Sequence, residues 1–205
     1  TLYVQERDVV GNWSTSGTKL IAIDITGPTA PSPSIAAGTY NAEQSVSLTP
    51  AGDAAATYYT TNGDTPDNES TSYSGAIAID GNDGVTVTLK AVSYDALGNK
   101  GSVLTAAYVF DKQAPTAPTV DGTTPTNNRK PTWTWEAKGG GNGTFRYQLN
   151  SDAGSWTTTT ETSFTPGSNL DEGNNTLYGE ERDVGGNWST SGTKLIAIDI
   201  TGPTA

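Results

Sequence analysis

Val85 to Phe110 reads VTVTLKAVSYDALGNKGSVLTAAYVF. Val85, Val87, Leu89 and Ala91 alternate with Thr86, Thr88, Lys90 and Val92, the period-two pattern of a half-buried strand. The run enters a turn at Asp95-Ala-Leu-Gly-Asn99 and returns as Val103 to Phe110, so the segment reads as a long hairpin. Shorter strands are expected upstream at 34–36, 45–49, 57–61 and 76–80, separated by turn clusters such as Asn62-Gly63-Asp64 and 80–84. About seven strands in this spacing predict a β-sandwich.

The same grammar recurs after residue 113. Trp133, Trp135 and Ala137 share one face of a strand, and Phe145, Tyr147 and Leu149 share one face of the next. Residues 156–164 supply one or two more strands, and 177–183 with 194–200 close the series as a last hairpin. Alternation turns both indoles to one side, which predicts core; a sugar-stacking platform is the competing reading, with Trp156, Tyr58 and Tyr59 as further aromatic candidates.

The opening Thr1 to Ala30, TLYVQERDVVGNWSTSGTKLIAIDITGPTA, returns 175 residues later as Thr176 to Ala205, with differences at positions 4/179, 5/180 and 10/185. Such identity implies duplication and makes the chain a window onto a longer array with a two-domain repeat. The expected domains are 1–28, the final hairpin of an incomplete sandwich; 29–112, a first complete sandwich; and 113–205, a second. A lone hairpin is marginal in water, so residues 1–28 should share the conformation of their second copy and be completed by an upstream segment or by another chain.

A shorter echo runs through the repeat. Asp8 to Asn12, Asp95 to Asn99 and Asp183 to Asn187 share the pattern D-x-x-G-N. Each is followed sixteen residues on by another aspartate, Asp24, Asp111 or Asp199, which leads into a linker containing Pro-Thr-Ala. In a seven-stranded sandwich the last inter-strand turn returns to the pole where the chain entered. Asp24 should therefore meet Asp95 and Asn99, and Asp111 should meet Asp183 and Asn187. These six residues are the candidate Ca²⁺ ligands, because hard carboxylate and amide oxygens suit that cation; Glu181 and Asp53 are weaker candidates. The metal-free reading is that Asp caps the turn through its own side chain, Gly supplies a positive φ and Asn holds a backbone group.

Composition bounds the chemistry. The 205 residues are 33% hydrophobic, enough for two modest cores, and Gly, Pro, Thr, Asn and Asp outweigh any helical periodicity. With 22 acidic and 11 basic residues the net charge is −11, which offers no cationic surface to nucleic acid or anionic lipid. Cysteine and histidine are absent, removing disulfides, zinc sites and the commonest nucleophile and base pairings, so no enzyme is expected. No stretch of about 18 apolar residues and no basic-then-apolar leader occurs, so no membrane insertion is expected and the sequence reads as mature or excised material. Five Asn-x-Ser/Thr sequons, the first at Asn12, carry little meaning in a chain of microbial character.

Two resemblances add to this. Thr57 to Gly75, TYYTTNGDTPDNESTSYSG, followed by TLKAVSYDALGNKGSV, resembles the chitobiase/β-hexosaminidase C-terminal domain family, a fibronectin III-like accessory module. Residues 114–205, with PTNNRKPTWTWEAKGGGNGTFRYQL and DVGGNWS, resemble bacterial Ig-like repeats of large surface and adhesin-like proteins. They imply tandem immunoglobulin/fibronectin III-like β-sandwiches, an extracellular or cell-surface location, and spacer or accessory roles without catalytic residues. The expected partners are neighbouring domains or identical chains in an array or filament, with polysaccharide as the alternative.

Overall fold

The structure, a computed structural model, describes residues 1–203. It is all-β, with no helix among the described residues. The chain forms two compact units: one of Thr1–Ser34, Leu48–Gly75 and Leu89–Thr105, the other of Ile35–Ser47, Ala76–Thr88 and the residues from Ala106 onward. In chain order the first strands are β1 (Leu2–Val4), β2 (Gly17–Lys19), β3 (Ser32–Pro33), β4 (Gly38–Tyr40), β5 (Gln44–Val46) and β6 (Leu48–Thr49). There follow β7 (Ala56–Thr60), β8 (Thr71–Ser72), β9 (Ile77–Ile79), β10 (Thr86–Tyr94) and β11 (Lys100–Phe110). The remainder are β12 (Thr119–Asp121), β13 (Trp133–Glu136), β14 (Thr144–Leu149), β15 (Thr157–Thr159), β16 (Ser163–Phe164), β17 (Gly173–Arg182) and β18 (Gly192–Ile198).

The hairpin expected at 85–110 is formed by β10 and β11. They are the two long neighbours in a five-stranded sheet of order β4-β11-β10-β7-β8. Leu89, Ala91 and Ser93 are fully buried, as their alternation requires, but Val92 on the other parity is buried too. That fits the central place of β10 in the sheet, and Ser93 pairs its hydroxyl with that of Thr57 on β7 at 2.8 Å.

Two upstream expectations are revised. The strand expected at 34–36 is displaced, with strands instead at Ser32–Pro33 and Gly38–Tyr40. The carbonyls of Ile35 and Ala36 go to tyrosine hydroxyls, Tyr108 at 2.8 Å and Tyr40 at 2.7 Å, so a side chain replaces a ladder partner there. The strand expected at 45–49 is split between two partners. β5 pairs with β9, Val46 opposite Ile77, whereas β6 pairs with β3, Leu48 opposite Pro33. Val46 and Leu48 nonetheless share one parity and are both buried.

The C-terminal strands, all within the second unit, form two facing sheets: β12-β13-β16 and β15-β14-β17-β18. Val120, Trp133, Trp135, Phe145, Leu177 and Ile196 are the buried core between them, with Tyr147, Leu149, Phe164 and Leu170 packed against it. Trp133 and Trp135 are 0% and 3% exposed, so the core reading of both indoles holds. Their strand and that of Phe145 lie in different sheets, so the two aromatic faces meet across the core. Trp135 lies 5.6 Å from Tyr147 and Tyr147 lies 4.7 Å from Phe164, centroid to centroid.

Candidate functional site: the linker clasps

The three D-x-x-G-N turns are built alike. In each, one Asp carboxylate oxygen accepts the backbone N–H of the Asn four residues on, at 2.8 Å for Asp8, Asp95 and Asp183. The second carboxylate oxygen accepts the Asn side-chain amide, at 3.0, 2.7 and 2.9 Å. The intervening glycines, Gly11, Gly98 and Gly186, have φ of 101°, 86° and 98°, a region that side chains with a Cβ avoid. The Asn amide is the first cause holding the carboxyls of Asp8 and Asp95 below their ordinary value of 3.8.

Two of these turns hold a linker. Asn99 Nδ2 donates to the backbone carbonyl of Asp24 at 3.1 Å, inside the first unit. Asn187 Nδ2 donates to the backbone carbonyl of Asp111 at 2.8 Å, inside the second. The donor and acceptor lie 75 residues apart in one case and 76 in the other. In both cases the Asn that closes a turn also holds the carbonyl of the linker that enters beside it.

Each linker is seated further by close backbone approach. A Cβ on Gly27 would fall 2.0 Å from the Lys100 carbonyl oxygen, and one on Gly101 would fall 2.3 Å from that of Pro28. Ser102 N–H donates to the same Pro28 carbonyl at 3.1 Å. In the second unit a Cβ on Gly192 would fall 1.9 Å from the Pro118 carbonyl oxygen. Asp111 N–H donates to Tyr40 at 3.0 Å, and Lys112 is held through its N–H by Asp83 at 2.7 Å and through its ammonium by Asp80 at 2.8 Å. Pro28, Pro31, Pro115 and Pro118 are all buried.

The candidate calcium ligands are thereby placed. Asp95 with Asn99 and Asp183 with Asn187 come together, and each pair reaches its linker aspartate through the backbone oxygen. The side chains of Asp24 and Asp111 instead cap their own linkers, accepting Thr26 N–H at 3.0 Å and Gln113 N–H at 3.4 Å. Asp83, Asp111 and Asp183 line one open hollow, but among the described residues no three acidic side chains stand close enough to hold one ion. Glu181, 1% exposed, accepts Gly143 N–H at 3.4 Å with one oxygen, while the other is buried without a hydrogen-bond partner. Asp53 is exposed.

Sequence reasoning missed Arg146. Its guanidinium lies between Trp156 and Trp188, 4.8 and 4.4 Å from the ring centroids, and donates to Glu180 at 2.7 Å. Trp156 is thus half-buried under a cation.

No helix among the described residues is long and apolar enough to cross a membrane. No curated protein matches the sequence. Among solved structures, the chicken CNTN1 FN1-FN3 domains align at 17% identity over 96% of this chain and 73% of that one, with a TM-score of 0.48. The fibronectin(III)-like modules of Clostridium thermocellum CbhA align at 15% identity over 82% of this chain and 94% of that one, with a TM-score of 0.49. Residues 35–105 match the family described as Chitobiase/beta-hexosaminidase C-terminal domain. Over those residues the all-β chain is thus similar to the chitobiase/β-hexosaminidase C-terminal domain.

Proposed function

We propose that this chain is a structural spacer, a segment of tandem β-sandwiches at 1–28, 29–112 and 113–205 in a secreted or surface-anchored microbial protein. One observation carries the reading: the same Asn-to-linker hydrogen bond is made twice, by Asn99 and by Asn187. A repeated device that fixes the linker backbone suits an array whose length sets its reach. It needs no cofactor and no catalytic residue. Proteins of one, two and three successive 175-residue units should show a maximum dimension, by small-angle X-ray scattering, that grows by a constant increment. A dimension that saturates would reject the spacer.

Calcium is the second reading of the same turns. The hollow lined by Asp83, Asp111 and Asp183 and the partnerless oxygen of Glu181 favour it. Polysaccharide binding is the third, favoured by the family match over residues 35–105. Pull-down on chitin and cellulose separates it from the spacer, which predicts no retention.

A further inference from the structure

The hairpin at residues 1–25 exists twice, and the two copies differ in what covers them. β1 pairs with β2 as Leu2↔Lys19, Tyr3↔Thr18 and Val4↔Gly17; β17 pairs with β18 as Leu177↔Lys194, Tyr178↔Thr193 and Gly179↔Gly192. The bridges Arg7↔Trp13 and Arg182↔Trp188 also correspond, so the register is the same residue for residue. Yet Leu177, Ile196 and Ile198 are 0%, 0% and 2% exposed, whereas their counterparts Leu2, Ile21 and Ile23 are 56%, 63% and 83% exposed. The ladder of the second copy continues through Asn175↔Ile196 and Gly173↔Ile198, while residues 20–25 lie in no strand.

We propose that the face bearing Leu2, Ile21 and Ile23 docks onto an immunoglobulin-like half-sandwich of the β12–β16 kind, joined to it in the same polypeptide. The duplication states the chemistry of this partner: an aromatic inner face equivalent to Val120, Trp133, Trp135 and Phe145, against which Leu177 and Ile196 pack. A second copy of this chain is the poorer occupant. Its own half-sandwich is already closed by β17, which pairs with β14 over six residue pairs and with β18 over seven.

The three differences between the copies sharpen the partner. Each falls where the second copy touches residues 111–146. A Cβ on Gly179, where the first copy has Val4, would lie 3.3 Å from Val120. Glu180, replaced by Gln5, accepts the Arg146 guanidinium at 2.7 Å. A Cβ on Gly185, replaced by Val10, would lie 2.8 Å from the Asp111 carbonyl oxygen. The partner of residues 1–25 is therefore a relative of residues 114–175 with a smaller side chain at the Val120 position and no need of a cation at the Arg146 position.

The proposal rests on the reading of residues 1–28 as part of a sandwich in a tandem array, but not on that array's serving as a spacer. It is tested by the full chain lengthened by a further copy of residues 114–175 joined directly to Thr1, either unchanged or with Val120→Ala in the added copy. Hydrogen exchange at the Ile21 and Ile23 amides should slow on the order of 100-fold or more relative to the 205-residue chain, and a further cooperative unfolding transition should appear. Val120→Ala in the added copy should raise the melting temperature of that transition, whereas Val120→Ala at its present place, opposite Gly179, should lower that of its own domain. Exchange as fast as in the 205-residue chain, in both lengthened proteins, would overturn the proposal. So would protection of Ile21 and Ile23 that rises with concentration in the 205-residue chain, because it would assign the face to a second copy.

Discussion

The side-chain amide of Asn187 donates to two acceptors at once, the Asp183 carboxylate at 2.9 Å and the Asp111 carbonyl at 2.8 Å. One oxygen belongs to the turn and the other to the linker, so the residue that shapes the turn also positions the chain entering beside it. Asn99 does the same with Asp95 and Asp24.

Asn187→Ala should cost about 1–2 kcal/mol, since it removes one neutral and one charge-assisted hydrogen bond at a partly buried site. Asn187→Asp should cost more, because it sets a second carboxylate against Asp183 and turns a donor to Asp111 into a repelling acceptor. Urea denaturation of the three proteins checks the order, wild type above Ala above Asp.

Acid should open the turns. Asp8 and Asp95 have carboxyls held below 3.8 chiefly by Asn12 and Asn99, so the stability they contribute is complete above the unfolded value and is lost as pH falls through the lower folded value. The carboxyl titrations of Asp8 and Asp95, followed by NMR, should have midpoints below 3.8. Asp95→Asn should lower the melting temperature near neutral pH, and the difference from wild type should shrink as pH falls below 3.8.

The two core indoles should respond differently to small changes. Trp133 Nε1 donates to the Lys194 carbonyl at 3.0 Å, whereas Trp135 Nε1 is buried without a hydrogen-bond partner. Trp133→Phe should therefore destabilise more than Trp135→Phe, which removes an unsatisfied donor. Either Trp→Ala change should cost about 3–5 kcal/mol by equilibrium unfolding. A stable Trp133→Ala protein would contradict the core assignment.

Much of this was legible because its physics is local. The Asx turn needs only Asp, Gly and Asn at fixed offsets, and Trp133 and Trp135 declare the core by parity. The linker contact was half legible: the return of the last turn to the pole of chain entry brings Asp24 to the Asp95 turn and Asp111 to the Asp183 turn, but proximity does not say which oxygen is used. The backbone carbonyl was used where a carboxylate was expected. The strand at 34–36 was misplaced because tyrosine hydroxyls from Tyr40 and Tyr108 satisfy Ala36 and Ile35, contacts that no periodicity encodes. Arg146 was missed for the same reason, as Trp156 and Trp188 reach it from two separate loops.

Calcium gives a clean division between the two readings of the turns. A hydrogen-bonded clasp predicts the same melting temperature in EDTA and in millimolar calcium. A cation bound with Kd of ~10⁻⁴ M would add about 1.4 kcal/mol at tenfold excess, or a few degrees. Such a rise, abolished by Asp111→Ala, would establish the metal.

The most direct test of the clasped linker is small-angle X-ray scattering of the chain beside Asn99→Ala/Asn187→Ala, both verified as folded by circular dichroism. Loss of both linker hydrogen bonds should broaden the pair-distance distribution and change the radius of gyration, with strand content unchanged. Superimposable scattering curves would contradict the claim that these two asparagines fix the linkers of a spacer.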